Sequence, residues 1–414
     1  MTATEPEGTG DKTMLENDAI KISDSIFWVG AQDRETDLFE ALWKLPYGVA
    51  YNAYLLAGDA SVLVDTVKGH FMDGFLERLS SVLSGKPLDY VIVNHMEPDH
   101  AGSLGILRKM YPGVKIIGNA KTAEMLKNFF NIEDNVVTVK DGEILDIGSR
   151  KFLFAFVPMV HWPESMVAYD VTDKILFSSD IFGGFGATEG GIFDDQADME
   201  LVTSEMMRYY VNIVGRFAEP ALKALAKVKP LDITAICPAH GPIWRSDPKR
   251  VIGLYEKLSR QETEEGVVVV YGSMYGNTKA IAEKIARVVS GDGVKRVAVY
   301  DIARCDMSIA ATDIWRNAGL ILASCTYNME LFPPMAKLLR HLENKNMKGR
   351  HVGLCGTYSW AGTSLREMSD FVERSKGNWT LVEPKIPIKT CPKGEEFDKI
   401  ELLAHNMARA VKRS

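Results

Sequence analysis

A chain of 414 residues, 46% hydrophobic and 25% charged, has apolar material for two cores rather than one. Its net charge of −7 argues against a nucleic-acid surface, and no apolar run approaches the roughly 18–20 residues of a membrane span. Five scattered cysteines without a CxxC pair exclude a disulfide framework or a thiolate metal centre and point to a reducing, cytoplasmic setting. The acidic, polar segment 1–20 is no secretory signal and reads as a flexible tail.

From residue 22 the pattern is of short strands, at 25–29, 50–57 and 61–66, with Gly58-Asp59 as a hairpin turn. Asp65 ends the third; its carboxylate either orients a neighbouring loop or caps the next helix, at 71–83. The apolar β-branched run 91–93 then stops at Asn94, and His95, Glu97, Asp99 and His100 follow within six positions. Pro98 cannot continue a strand, which places these four side chains on a loop at a strand end, before a helix at 104–110. Two imidazoles and two carboxylates on one turn are a metal-ligand composition; the competing reading is a solvated polar loop.

Further strands are expected at 114–118, 136–139, 143–147 and 152–157, with a helix at 122–130. The last strand ends on His161, between Pro158 and Pro163. Asp180 closes KILFSSD, with Gly183, Gly184 and Gly186 beyond it, and His240 closes ITAICPAH. Taken singly, each fits a structural residue. Four apolar strands that each end on His or Asp beside Gly or Pro are what a site on one edge of a sandwich requires. The spacing resembles the metallo-β-lactamase superfamily, where a His-x-His-x-Asp-His loop is followed by a His, an Asp and a His. That resemblance implies an N-terminal αββα sandwich. Glu97 stands where the hydrolases carry the second His; a carboxylate there hardens the site and moves its preference from zinc toward iron or manganese.

Near Arg260 the composition turns charged, and we expect a domain boundary, with one domain over 21–262 and another over 266–414. Beyond it strand and helix alternate as in an open parallel sheet. The buried-type strand 266–271 runs into Gly-Ser-Met-Tyr-Gly-Asn-Thr (272–278) and a helix at 279–289, forming a phosphate cradle of backbone N–H groups and hydroxyls. It is not a Walker A loop, because the glycines are one residue too close and Lys279 follows Thr278. Strands at 320–324 and 351–356 also end in hydroxyl, amide and aromatic residues, where doubly wound sheets bind ligands. This half resembles flavodoxin. The resemblance implies that Ser273, Met274, Tyr275, Gly276, Asn277 and Thr278 hold an FMN phosphate. Thr326, Tyr327 and Asn328, with Thr357, Tyr358, Ser359, Trp360 and Gly362, would flank the isoalloxazine.

The two halves in this order resemble the flavodiiron proteins (A-type flavoproteins). That resemblance implies two non-haem Fe per chain and FMN. His95, Glu97 and His161 would bind one iron, Asp99 and His240 the other, with Asp180 bridging and the role of His100 open. It implies reduction of dioxygen to water, of nitric oxide to nitrous oxide, or both. It also implies a head-to-tail homodimer or a dimer of dimers. No rubredoxin-like or flavin-reductase-like module follows the second half. Electrons are therefore expected from a separate rubredoxin-like protein, a flavin reductase or a reduced soluble cofactor. Two other classes compete: a zinc hydrolase with an accessory flavodoxin domain, and a plain electron carrier. His70, His341, His351 and His405 lack clustered partners and read as structural or surface residues.

Overall fold

The computed structural model describes residues 18–188, 190–375 and 377–413. Its first sheet has seven strands in the order Ile20–Lys21, Ile26–Trp28, Tyr54–Leu56, Val62–Val64, Tyr90–Ile92, Lys115–Gly118 and Val136–Thr138. The junctions are antiparallel as far as Val62–Val64 and parallel beyond it. Strand side chains alternate between faces, so Ile26, Trp28, Tyr54, Leu56, Val62 and Val64 share one face. They join Phe152, Phe154, Met166, Ala168, Ile175 and Phe177 of a second sheet in one core. Each Val, Leu, Ile, Phe or Met side chain among them contributes about 1.5–3 kcal/mol by leaving water. Leu55, Leu63 and Val91, on the opposite face of the first sheet, are buried as well. That sheet is therefore covered on both sides, which matches the expected αββα arrangement.

The second sheet runs Ile144–Asp146, Lys151–Phe156, Met166–Asp170, Ile175–Ser179, Ala235–Pro238. Its last pair is parallel, which brings Asp180 and His240 to the same edge, and Ala239 N donates to Ser179 O at 2.8 Å.

Three local expectations need correction. The stretch 50–57 is not one strand: Val49–Tyr51 pairs with Ala31–Asp33, whereas Tyr54–Leu56 joins the large sheet. Asn52 sits at the break, accepting from Trp28 Nε1 at 2.8 Å and donating to Pro238 O and Gly241 O at 2.9 Å each. A buried amide with these partners overrides the apolar run around it. Second, Asp99 and His100 lie on a helical turn, Pro98–Ala101, rather than a loop, because proline suits the first position of a helix. Third, most of the expected flexible segment 1–20 lies outside the described residues, but Ile20 pairs with Trp28 as a strand.

The third sheet runs Val297–Asp301, Glu264–Gly272, Asn317–Tyr327, His351–Tyr358, and its last position is shared by Thr380–Leu381 and Ile386–Lys389. These strands are parallel; Glu330–Leu331 adds antiparallel to Asn317–Tyr327. In chain order this is 2-1-3-4-5, the doubly wound order of flavodoxin. Helices Asn277–Gly291 and Glu395–Val411 pack Ile281, Ile285, Val289, Leu403, Met407 and Val411 into its core.

The chain forms two compact units that interleave in sequence. One comprises the described residues through Thr36, with Tyr47–Val202 and Pro230–Pro248. The other comprises Asp37–Pro46, Thr203–Lys229 and Lys249–Ser414. The expected cut between 262 and 266 therefore lies inside the second unit. There Tyr210 meets Tyr255 and Trp315 edge-on, with ring centroids 4.8 and 6.1 Å away.

Candidate metal centre and cofactor pocket

The seven candidate ligands fall into two groups in the first unit. His95, Glu97, His161 and Asp180 offer ligand atoms within 4.8 Å of one another, as do Asp99, His100 and His240. In the first group Glu97 Oε2 lies 3.1 Å from His95 Nε2 and 2.9 Å from His161 Nε2. In the second, His100 Nε2 and His240 Nε2 are 3.1 Å apart, and each is 3.4 Å from an oxygen of Asp99.

Asp180 faces both groups. Its Oδ2 is 3.4 Å from His95 Nε2 and 3.5 Å from His161 Nε2, and its Oδ1 is 3.2 Å from His100 Nε2 and 3.6 Å from His240 Nε2. Donors about 2.1 Å from a common ion are themselves about 3.0–3.4 Å apart in octahedral or tetrahedral geometry. The observed spacings are of that kind.

Two further observations fit a cation. Both oxygens of Asp99 and of Asp180 are buried without a hydrogen-bond partner, which is costly for carboxylates unless a charge compensates. The electrostatics of the site agree. Burial would raise the Asp180 carboxyl, but His95 and His100 hold it well below the carboxylate range. Burial would likewise raise Glu97, yet hydrogen bonds from His161 and His95 keep it far below. Against burial, Asp180, Glu164 and Glu97 push the His95 imidazole well above its ordinary value. Asp99 and Asp180 carry His100 to about 9 despite its burial. The cluster demands positive charge at its centre, from protons or from metal.

The second unit carries a cleft of about 450 Å³ at the carboxyl ends of Glu264–Gly272, Asn317–Tyr327 and His351–Tyr358. Of the fourteen residues expected around FMN, Ser273, Met274, Tyr275, Asn277 and Thr278 line it, as do Thr326, Tyr327, Asn328, Thr357, Tyr358, Ser359 and Trp360. Gly276 and Gly362 do not. Gly276, with φ of +99°, instead turns the loop into the helix, and its N–H donates to Ser273 Oγ at 3.1 Å. Thr278 and Thr357 hydroxyls meet at 2.8 Å across the cleft floor. Tyr275 is 93% exposed and Trp360 82%, unusual for large aromatics without a partner. A helix N-terminus suits a phosphate and flat aromatic walls suit a flavin ring.

The profile of the ODP family beta lactamase matches residues 49–241, and that of flavodoxin matches 269–378. The anaerobic nitric oxide reductase flavorubredoxin of Aliivibrio fischeri is 31% identical over 352 residues, covering 84% of this chain and 71% of that protein. Its counterpart in Escherichia coli is 30% identical, covering 85% and 74%. Among solved structures, the rubredoxin oxygen:oxidoreductase of Desulfovibrio gigas superposes with a TM-score of 0.91 at 29% identity, covering 95% of this chain and 99% of that one. The flavodiiron protein of Giardia intestinalis gives 0.89 at 26%, covering 99% and 98%. The chain belongs to the flavodiiron family.

In this flavodiiron chain the two sites also contain residues that the sequence did not single out. Glu164 Oε1 accepts from His95 Nδ1 at 2.8 Å and from Met96 N at 2.9 Å. His240 Nδ1 faces Ala50 O at 2.7 Å. Cys325, Met329, Ala361 and Thr390 join the cleft lining. Glu164 stands three residues after His161 in HWPES, but nothing in sequence separates an orienting acid from a solvated one.

Proposed function

We propose that this chain is a flavodiiron oxidoreductase that reduces dioxygen to water, nitric oxide to nitrous oxide, or both. The observation that carries the reading is Asp180, a buried carboxylate with one oxygen toward each cluster. On this reading His95, Glu97 and His161 hold one iron, Asp99, His100 and His240 the other, and Asp180 bridges. His100 is included because its Nε2 lies among Asp99, Asp180 and His240. Two bound irons would supply two electrons and a paired locus for one diatomic, and reduced FMN two electrons more.

The chain's own residues hold that arrangement. Glu164 accepts from Nδ1 of His95 and so leaves Nε2 for the centre. Trp162 packs edge-on against His95, with centroids 5.1 Å apart, and shields that flank from water. In the second unit, Ser273–Thr278 would take the phosphate, and Tyr327, Tyr358 and Trp360 the flavin ring.

The names of relatives support a rubredoxin-type electron donor. The exposed Tyr275 and Trp360 suit cover by a second copy of the chain in a head-to-tail dimer. All five cysteines are free thiols, in keeping with a cytoplasmic setting. Among the described residues no helix is long and apolar enough to cross a membrane. The test is metal analysis and gas consumption of the anaerobically purified protein, with FMN kept reduced by an artificial reductant. Consumption of either gas without released hydrogen peroxide supports the reading. Zinc in place of iron, with neither gas consumed, overturns it.

A further inference from the structure

The imidazoles of the two clusters are backed unequally. His95 turns Nδ1 to Glu164 Oε1 at 2.8 Å, and Glu164 is fully buried, with its Oε2 making no hydrogen bond. In the other cluster His240 Nδ1 meets a neutral acceptor, Ala50 O, at 2.7 Å. His100 Nδ1 is buried without a hydrogen-bond partner. An imidazole whose outer N–H donates to a carboxylate carries more negative charge on its ring, and is a stronger metal donor, than one that donates to an amide carbonyl. The donor sets themselves match, His95, His161 and Glu97 in one group and His100, His240 and Asp99 in the other, so the difference between the groups lies in the backing.

Building on the diiron reading, we propose that Glu164 is a positioning residue that makes the two iron sites electronically unequal. It fixes His95 with its proton on Nδ1 and raises the negative charge donated at the His95/Glu97/His161 site, which thereby favours Fe(III) more than the Asp99/His100/His240 site does. Each site takes one electron, Fe(III) to Fe(II). Oxidation of FMN hydroquinone to FMN releases two electrons and two protons, which suffices for both. The Asp99/His100/His240 site would fill first, and the site backed by Glu164 last.

The test compares iron- and FMN-loaded full-length protein with its Glu164→Gln and Glu164→Ala variants, under anaerobic conditions. Glutamine keeps an oxygen for His95 Nδ1 and Met96 N but removes the charge; alanine removes the acceptor. Iron per chain, chelator competition and a reductive titration followed by Mössbauer spectroscopy are the readouts. In Glu164→Gln both irons are retained. One becomes roughly ten- to a hundredfold easier to extract, and the later reduction step moves toward the earlier one while the earlier step stays in place. Glu164→Ala is expected to lose iron from the His95 site alone. Unchanged steps in Glu164→Gln, an equal shift of both, or loss of both irons in either variant would overturn the proposal. If the unsubstituted chain itself binds fewer than two irons, the diiron reading fails instead.

Discussion

Asp65 holds Asn94 twice, accepting from its backbone N at 2.8 Å and from its side-chain Nδ2 at 3.1 Å. Asn94 immediately precedes His95, so this grip sets where the chain carrying His95, Glu97, Asp99 and His100 leaves its strand. Of the two roles open to Asp65 in the sequence, the geometry supports the orienting one: the helical segment after it starts at Gly69, with Lys68 before it and no side-chain cap. Burial pushes the Asp65 carboxyl up to about 6, against the pull of His100 and Asn94. Asp65→Ala strands two buried donors and should cost about 2–4 kcal/mol, with iron lost from the His95 site. Denaturant unfolding and iron analysis check this; unchanged stability and full iron would contradict it.

Ligand substitutions should separate the two sites. His161 Nε2 lies 2.9 Å from Glu97 and 3.5 Å from Asp180, in the group with His95 and apart from that of Asp99, His100 and His240. His161→Ala is therefore expected to leave about one iron per chain with FMN bound. Asp180→Ala, which removes an oxygen from each cluster, should lower iron at both. If His161→Ala retained two irons and full gas consumption, the ligand assignment would be wrong.

The metal-free and metal-loaded proteins should respond oppositely to pH. His100 is raised to about 9, so without metal its stabilising contribution is complete below the ordinary imidazole value of about 6.5 and is lost as pH rises toward 9. Metal requires the neutral ring and displaces that proton, so its stabilisation grows over the same window. The unfolding gap between loaded and metal-free protein should widen from pH 6.5 to 9 by up to a few kcal/mol, at about 1.4 kcal/mol per pH unit. Glu97 and Asp180, held low, keep their contribution above about pH 4 and lose it only in stronger acid. Thermal unfolding at constant metal excess tests this, and a gap independent of pH would count against it.

Gly276 occupies the left-handed region at φ of +99°. Gly276→Val is expected to strain the turn by at least about 1–2 kcal/mol and to expel FMN while both irons remain. Trp360→Ala should weaken FMN by roughly 1–3 kcal/mol, the scale of an aromatic stacking contact. Flavin fluorescence titration measures both. Iron loss together with FMN loss would show the two sites to be coupled.

The grouping of the candidate residues was legible because they follow the ends of apolar strands, and strand ends on one edge of a sandwich converge. His95, Glu97, Asp99 and His100 lie close together in sequence. Asp180 and His240 follow closely on the buried strands Ile175–Ser179 and Ala235–Pro238, and His161 follows Lys151–Phe156 after a short loop. Glu164 was not legible. Its partner His95 lies 69 residues away, and an isolated acid between Pro163 and Ser165 carries no periodic signal. The break at Asn52 was hidden for a similar reason, since its partners Pro238 and Gly241 are far along the chain. Periodicity shows that a segment buries a face, not which core receives it. That is why Asp37–Pro46 and Thr203–Lys229 read as parts of the first domain, although they belong to the second compact unit.

That interleaving bears on how such a protein could be taken apart or recombined. Trp315 is completely buried: its Nε1 donates to Leu258 O at 3.2 Å, and Tyr210 lies against its ring. A fragment beginning at residue 266 keeps Trp315 but discards both partners, leaving an indole and its apolar surroundings open to water. A flavodoxin excised at the apparent seam would therefore be a sticky, incomplete object. Exchange of the flavin-binding half between relatives would have to carry three separated stretches of sequence together.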